Sequence, residues 1–374
     1  MKYLFILGRN PELSIKEIES FLKVKEIKIL YSKLIKNGYL IELEMEIDIS
    51  LVNDFGGVIS IGKVNVEGDI DEILGKLENQ NIYSKDKNNF SYVIWNYSNE
   101  ESYDKLSDYL KKRFKIEKFK VSLKPLTGIL DMQNGEKINI VGNKIHEQYF
   151  LFFDNSKYYF GNIENSYDSD SLEKRDMGKP VRREELAISP RLAKIMINLS
   201  EIKNNGRLLD PFCGIGVILF EGLLKNLEVT GIDIDKSALE GAITNLNWGN
   251  FNKDNFKIIN ADSKKINLNS KYDVIVSEPD LGEILRKPVS NDKTKEIIEG
   301  FEKLIINVVN NLKKNIEGRI VFSSPFIKTT QNKRLGINVH NLEKMTNLKI
   351  SKGFPIEDYR KDQIVGRQII VLDR

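Results

Sequence analysis

Leu208-Leu209-Asp210-Pro211-Phe212-Cys213-Gly214-Ile215-Gly216 joins an apolar run to a helical segment at 216–225 that carries Glu221. Two glycines at i and i+2 let a backbone turn sharply and approach a ligand at the carboxyl edge of a parallel sheet. The third glycine of the dinucleotide fingerprint G-x-G-x-x-G would fall at Leu219. The loop therefore suits a smaller, cationic ligand better than a pyrophosphate. Asp210 fits such a ligand, because a carboxylate orients an ammonium group through a charge-assisted hydrogen bond.

Strand-like segments at 207–209, 228–232, 256–260, 274–276 and 319–322 alternate with helical ones at 216–225, 236–247 and 294–312. This pattern predicts an α/β domain over 187–374, a Rossmann-like, mostly parallel sheet with helices on both faces. Two late strands near 348–352 and 368–372, with no helix between them, predict an antiparallel edge. Ser189-Pro190 reads as an N-cap and first helical residue, followed by the stripe Leu192, Ile195, Met196 and Leu199.

Acids stand at successive strand ends. Asp233 comes nineteen residues after Gly214, where a carboxylate can accept both hydroxyls of a ribose. Asp262 follows the third strand, placed for an adenine amine. Each acid alone is open to a second reading as a helix N-cap. Together with the loop, they mark Asp210, Gly214, Gly216, Asp233 and Asp262 as cofactor-binding candidates.

The front half reads as two small α+β domains, at 1–78 and 79–165, with a linker at 166–186. In the first, Ser14 and Glu17 have capping-box spacing at a helix start. Lys36-Asn37-Gly38 has the Asn-Gly signature of a hairpin turn, and a helix near 70–77 closes the domain. The polar stretch 78–89 marks the junction to the second. Seven Lys or Arg against one acid fall between 111 and 124, among them Lys111, Lys112, Arg113, Lys115, Lys118 and Lys120, interleaved with Phe114 and Phe119. One reading is a surface for RNA phosphates. The other is a solvated helix end, with cations near the C-terminal dipole and both rings in the core.

The 374 residues carry 57 Lys and Arg against 54 Asp and Glu, a net charge of +3, so any polyanion site has to be local. One cysteine and two histidines allow neither a disulfide nor a credible zinc site, and no metal is expected. The apolar run at 3–7 is too short for a signal-peptide core, and no segment has the length to span a bilayer. A cytoplasmic protein without a membrane partner is expected.

The 210–214 loop, with Val229-Thr230-Gly231-Ile232-Asp233, resembles the class I S-adenosylmethionine-dependent methyltransferases that act on exocyclic amines of nucleic-acid bases. Lys174-Arg175-Asp176-Met177-Gly178-Lys179-Pro180, the segment from Ile188-Ser189-Pro190 to Leu199, and the opening Gly8-Arg9-Asn10-Pro11-Glu12-Leu13-Ser14 are similar to one group. These are the THUMP-domain tRNA guanine-N2 methyltransferases that modify guanosine 10. The resemblance implies a ferredoxin-like domain, a THUMP domain gripping tRNA, and a catalytic domain using S-adenosyl-L-methionine. It also favours the RNA-facing reading of the basic segment.

In that group the fourth strand ends in Asp-Pro-Pro-Tyr or a close variant. The acid and a proline carbonyl accept the two N–H bonds of a weakly nucleophilic amine, and the aromatic ring stacks on the base. At that place stand Ser277-Glu278-Pro279-Asp280-Leu281-Gly282. The resemblance makes Glu278 and Pro279 the catalytic pair, with Asp280 as a second acceptor or base. Leu281 cannot stack as an aromatic ring would. The altered motif leaves two alternatives open. One is a non-catalytic or partner-dependent RNA- and cofactor-binding protein, with room for an accessory protein subunit. The other is a DNA adenine or cytosine N-methyltransferase.

Overall fold

The computed structural model describes residues 1–83, 87–142, 144–183, 188–282 and 285–374. The chain forms two contact units. The first comprises Met1–Pro11, Ile27–Asn53 and Val58–Tyr167; the second comprises Glu12–Glu26, Asp54–Gly57 and Asp168–Arg374.

The first elements in chain order are β1 (Lys2–Leu7), α1 (Pro11–Val24), β2 (Ile29–Ile35), β3 (Gly38–Leu43), β4 (Val58–Gly68) and α2 (Ile70–Glu78). They are followed by β5 (Asn89–Tyr97), α3 (Glu100–Ile116), β6 (Lys120–Leu123), β7 (Gly128–Asp131), β8 (Lys137–Ile140), β9 (Glu147–Phe153) and β10 (Tyr158–Ser166). Eight of these strands make one sheet in the order β2-β3-β1-β4-β10-β9-β5-β6, and β7 pairs β8 separately. Alternation along β5 and β9 builds a core on each face. Phe90, Tyr92, Ile94, Tyr149 and Leu151 join one cluster with α2 and α3. Val93, Trp95, Tyr97, Phe150 and Phe152 join the other.

Three local expectations for the front half change. The boundary at 78/79 falls inside one continuous sheet, because β4 pairs β10 over eight residue pairs. Helix α2 packs across both halves of that sheet, its Ile70, Ile73 and Leu77 sharing a cluster with Val66 of β4 and with Phe90 and Phe114. The hairpin turn is Lys36-Asn37, with Lys36 at φ 53°. Asn37 is buried and donates to the Leu7 carbonyl at 3.0 Å.

Ser14 and Glu17 are not a capping box either. Helix α1 starts three residues before Ser14, with Pro11 first, and packs in the second unit. There the buried Glu17 carboxylate accepts from the backbone N–H groups of Gly56 and Gly57, both at 2.7 Å, and from Asn198 Nδ2. Burial raises its pKa, and those three donors oppose the rise.

The second unit continues with α4 (Ser169–Met177), α5 (Pro190–Leu199), β11 (Arg207–Asp210), α6 (Val217–Leu224), β12 (Glu228–Asp233), α7 (Lys236–Trp248) and β13 (Phe256–Asn260). Then come β14 (Val274–Ser277), α8 (Asn291–Leu312), β15 (Ile320–Lys328), β16 (Arg334–Leu335), α9 (Val339–Thr346), β17 (Lys349–Ile350), β18 (Ile356–Asp358) and β19 (Val365–Asp373). The sheet order is β13-β12-β11-β14-β15-β19-β17, with β16 on β15 and β18 on β19. The five strands from β13 to β15 are parallel, and β19 runs antiparallel to β15. The long antiparallel strand thus lies one place in from the two-residue edge strand β17. Leu208, Val274, Val276, Val321, Ile369 and Val371 face one core, with α5 and α6. Leu209, Ile275, Phe322, Ile370 and Leu372 face the other, with α8.

Ser189 caps α5 with Pro190 in the first turn, as its sequence predicts. Within the expected linker, residues 169–177 are helical as α4, capped by Asp168. Arg175 reaches the buried Glu221 at 2.8 Å. Residues 184–186 of that linker lie outside the described residues.

Candidate functional site

The carboxyl ends of β11, β12, β13 and β14 open into a cleft of about 870 Å3, which lies wholly in the second unit. Asp210, Gly214, Asp233 and Asp262 line it, and so do Glu278, Pro279, Asp280 and Leu281. Four of the five cofactor candidates and the Glu278–Leu281 segment therefore share one cavity, as ligand sites at strand carboxyl ends do in such sheets.

The loop after β11 is built for close approach. Gly214 and Gly216 take φ of 50° and 83°, in the left-handed region that favours glycine. A Cβ on Gly214 would meet no heavy atom within 4 Å, whereas one on Gly216 would meet Ala242 at 3.2 Å. Gly216 therefore serves the turn into α6, rather than lining the cleft. Asp233 Oδ2 accepts from the Gly214 N–H at 2.9 Å, and its Oδ1 accepts from the Asp235 N–H at 2.9 Å. Asp262 accepts from the Lys264 N–H at 3.0 Å, and the Ser263 hydroxyl donates to the Pro211 carbonyl at 2.6 Å. These bonds tie three strand ends into one frame.

Asp210 is more enclosed than an ammonium-binding acid on an open loop would be. It is 1% exposed, and its Oδ1 accepts from the Ser277 hydroxyl at 2.5 Å and from the Phe212 N–H at 3.1 Å. Burial, reinforced by the neighbouring Asp233 and Glu278 carboxylates, pushes its pKa up to about 7 despite these donors. Burial likewise pushes the Cys213 thiol up, with Asp210 and Asp233 adding to it. A thiol held protonated is a poor nucleophile.

On the other side of the cleft, Glu278 follows β14 with a side chain only 7% exposed. Its Oε1 accepts from the Ser323 hydroxyl at 3.0 Å and from Arg367 Nε at 2.6 Å, and Arg367 Nη2 lies 3.3 Å from Oε2. Ser323 is on β15 and Arg367 on β19, in strands whose register pairs Pro325 with Arg367. Neither residue stands out in the sequence. The signal that could have found Arg367 is the need of a buried carboxylate for a counter-charge. Pro279 is buried, Asp280 is exposed and accepts from the Gly282 N–H at 3.0 Å, and Leu281 packs against the apolar core.

The basic segment belongs to the first unit, at the end of α3 and the start of β6. Lys112, Lys115, Lys118 and Lys120 are exposed, and exposed Lys111 pairs with Asp108 at 3.2 Å. Arg113 does something different: it donates to the carbonyls of Leu77, Glu78 and Gln80, and its Nε bonds Glu117. Its guanidinium finishes the end of α2 and is not an open RNA contact. Phe114 is fully buried and Phe119 packs in the same cluster.

Among the described residues, no helix is long and apolar enough to cross a membrane. Residues 180–321 match the family described as RMKL-like, methyltransferase domain. A stretch of 115 residues is 36% identical to a tRNA (guanine(10)-N2)-dimethyltransferase of Methanothermobacter thermautotrophicus, covering 31% of this chain and 33% of the relative. The chain thus spans about a third of that relative's length. A "Probable tRNA (guanine(10)-N2)-dimethyltransferase" of Methanothermococcus thermolithotrophicus is 35% identical over 140 residues, 36% of this chain and 79% of the relative. Among solved structures, TrmN from Thermus thermophilus superposes with a TM-score of 0.56 at 13% identity, covering 100% of both chains. At that identity the likeness is one of fold. With the strand order and the strand-end acids, these similarities lead to one conclusion: the chain belongs to the class I S-adenosylmethionine-dependent methyltransferases related to the tRNA (guanine-10-N2) dimethyltransferases.

Proposed function

We propose that this protein transfers a methyl group from S-adenosylmethionine to the exocyclic N2 amine of a guanosine in tRNA, guanosine 10 being the position named in its relatives. The observation that carries this reading is that Glu278 and Pro279 line the same cleft as Gly214, Asp233 and Asp262. Cofactor and base frames thus converge on one volume of a size suited to both. The open space beside Gly214 and the strand-end carboxylates fit a nucleoside with a cationic side chain. Asp233 would take the ribose hydroxyls, Asp262 the adenine amine, and Asp210 the ammonium.

S-adenosylmethionine supplies a methyl group on a cationic sulfur, which becomes a neutral thioether as the new N–C bond forms. The chain's own residues do the positioning. Glu278 Oε2 and the Pro279 carbonyl accept the two amine N–H bonds, which aims the nitrogen lone pair and stabilises the positive charge that develops on it. Once the nitrogen is alkylated, its surplus proton leaves to solvent or to the exposed Asp280 carboxylate. Residues 1–78 and 79–165, read as ferredoxin-like and THUMP-like domains, would hold the tRNA while the base is turned out of its stack.

Incubation with tritiated S-adenosylmethionine and total tRNA tests the proposal. Label recovered as N2-methylguanosine or its dimethyl form, and lost in Glu278→Gln, is the expected result. Label in DNA alone identifies an adenine or cytosine methylase. Tight tRNA binding with no label at any enzyme concentration identifies a binding protein.

A further inference from the structure

Glu278 is a longer acid than the aspartate of the related motif, and its surroundings are tighter. A glutamate has one more rotatable bond, so fixing its carboxylate costs more rotamer freedom than fixing an aspartate's. The motif also lacks its second proline and its aromatic ring here, because Asp280 and Leu281 occupy those places. The local chain therefore supplies less rigidity around the acid than Asp-Pro-Pro-Tyr would.

The missing rigidity comes from across the sheet. Arg367 offers a planar fork to the carboxylate, with Nε on Oε1 at 2.6 Å and Nη2 toward Oε2 at 3.3 Å. Ser323 takes the remaining side of Oε1 at 3.0 Å. Oε1 is thereby committed to two donors, while Oε2 receives one long bond and keeps capacity for another. The extra methylene lets the acid reach this fork. Asp210 at the end of β11 faces Glu278, and Asp358 on β18 stands opposite Arg367. Both are acids, and Arg367 is the cation in direct contact with Glu278.

We propose that Arg367 is a positioning residue for the transfer reaction. Its guanidinium fork fixes the plane of the Glu278 carboxylate so that Oε2, and not Oε1, is presented to the base amine. The fork supplies the restraint on the acid that the second proline, replaced here by Asp280, would supply in the related motif. This rests on the methyl-transfer reading above. Arginine is suited to the task because its fork matches a carboxylate in a fixed orientation, which a lysine ammonium on a flexible stem does not.

The test is steady-state methyl transfer to tRNA by wild type, Arg367→Met, Arg367→Lys and Ser323→Ala, with thermal unfolding of each. A carboxylate displaced by about 1 Å costs on the order of 10²-fold in rate. Arg367→Met is therefore expected to lose about that much in kcat, with KM for S-adenosylmethionine within about twofold of wild type. Arg367→Lys should recover about tenfold of the loss. Ser323→Ala, which keeps the ion pair, should lose only about threefold to tenfold and guards against misfolding of the methionine variant. Arg367→Met or Ser323→Ala at or above the wild-type rate overturns the proposal, as does a loss that falls on KM for the cofactor instead of kcat.

If wild type methylates no nucleic acid, the proposed function fails and a second readout decides this inference. A tRNA carrying 2-aminopurine at nucleotide 10 is bound in the presence of S-adenosylhomocysteine. A fluorescence rise with wild type that disappears in Arg367→Met supports base positioning by the pair. An equal rise in both, or none with wild type, overturns it.

Discussion

Gly214, Asp233 and Asp262 are held by bonds that reach 2, 19 or 27 residues along the chain, with one longer tie of 52 residues from Ser263 to Pro211 joining their loops. Glu278, on the opposite side of the same cleft, is held by Ser323 and Arg367, 45 and 89 residues away. The cofactor side is a frame of neighbouring loops that β11, β12 and β13 carry with them. The base side exists only if β15 and β19 lie in the correct register, because a one-residue slip would turn Arg367 to the other face of the sheet. The first frame can therefore persist while the second is rebuilt. That explains how a chain can keep the Gly-x-Gly loop and its acids while its catalytic motif departs from the related pattern.

The largest expected effect lies on the cofactor side. Asp233→Ala removes the proposed acceptor for the ribose hydroxyls and the anchor of the Gly214 N–H. Hydrogen bonds to charged groups contribute about 1.5–3 kcal/mol each, so with two hydroxyls calorimetry should give S-adenosylmethionine affinity weaker by about 10²- to 10⁴-fold. A loss below fivefold would remove Asp233 from the site. The complementary break is Glu278→Asp. It restores the acid of the related motif, yet it withdraws the carboxylate from Arg367 and Ser323. Transfer should fall on the order of 10²-fold, with cofactor affinity within about twofold. A gain in rate would mean that the base side is as local as the cofactor side.

A smaller effect comes from Asp210, which stands where the two sides meet. Its folded pKa of about 7 is above the usual aspartate value. The folded state therefore binds more protons than the unfolded state between about pH 4 and pH 7, and stability falls as pH rises through that window. Asp210→Asn removes the penalty, at most about 4 kcal/mol for a shift of about three units. Thermal unfolding should show a Tm several degrees higher than wild type at pH 8 and unchanged at pH 4. Wild-type cofactor affinity should weaken as pH drops below about 7, where the carboxyl becomes neutral. The variant should bind weakly at every pH.

The same difference in range decides what was readable in the sequence. The alternation that builds the second unit and the strand-end acids are local patterns, and the structure gathers Asp210, Gly214, Asp233 and Asp262 around one cleft as expected. Gly216 was legible as a loop glycine, but its contact with Ala242 places it in the turn. Ser14 and Glu17 satisfy the spacing of a capping box, yet that spacing also puts two polar side chains on one face of a helix already begun. Only the distant Gly56, Gly57 and Asn198 decide between the two. Arg367 was illegible for the same reason. A charged residue in a strand announces no partner until the register of the sheet is known.

The basic segment carries this contrast into the first unit and gives the smallest effects. Lys112, Lys115, Lys118 and Lys120 are exposed, whereas Arg113 is bonded to carbonyls 33 to 36 residues away. If the lysines touch tRNA phosphates, each lysine-to-glutamine change removes about 0.7–0.9 from the slope of log affinity against log salt. Each should raise KM for tRNA and leave kcat unchanged, because neither side of the cleft is altered. Arg113→Gln should leave the salt slope as it is and lower Tm, since losing its bonds to the end of α2 costs about 1–3 kcal/mol. Filter binding across a salt series, with thermal unfolding alongside, separates the two. If Arg113→Gln alone flattened the slope, the guanidinium would leave the end of α2 to meet RNA. The local lysines would then be the solvated surface, and the residue fixed from a distance the contact.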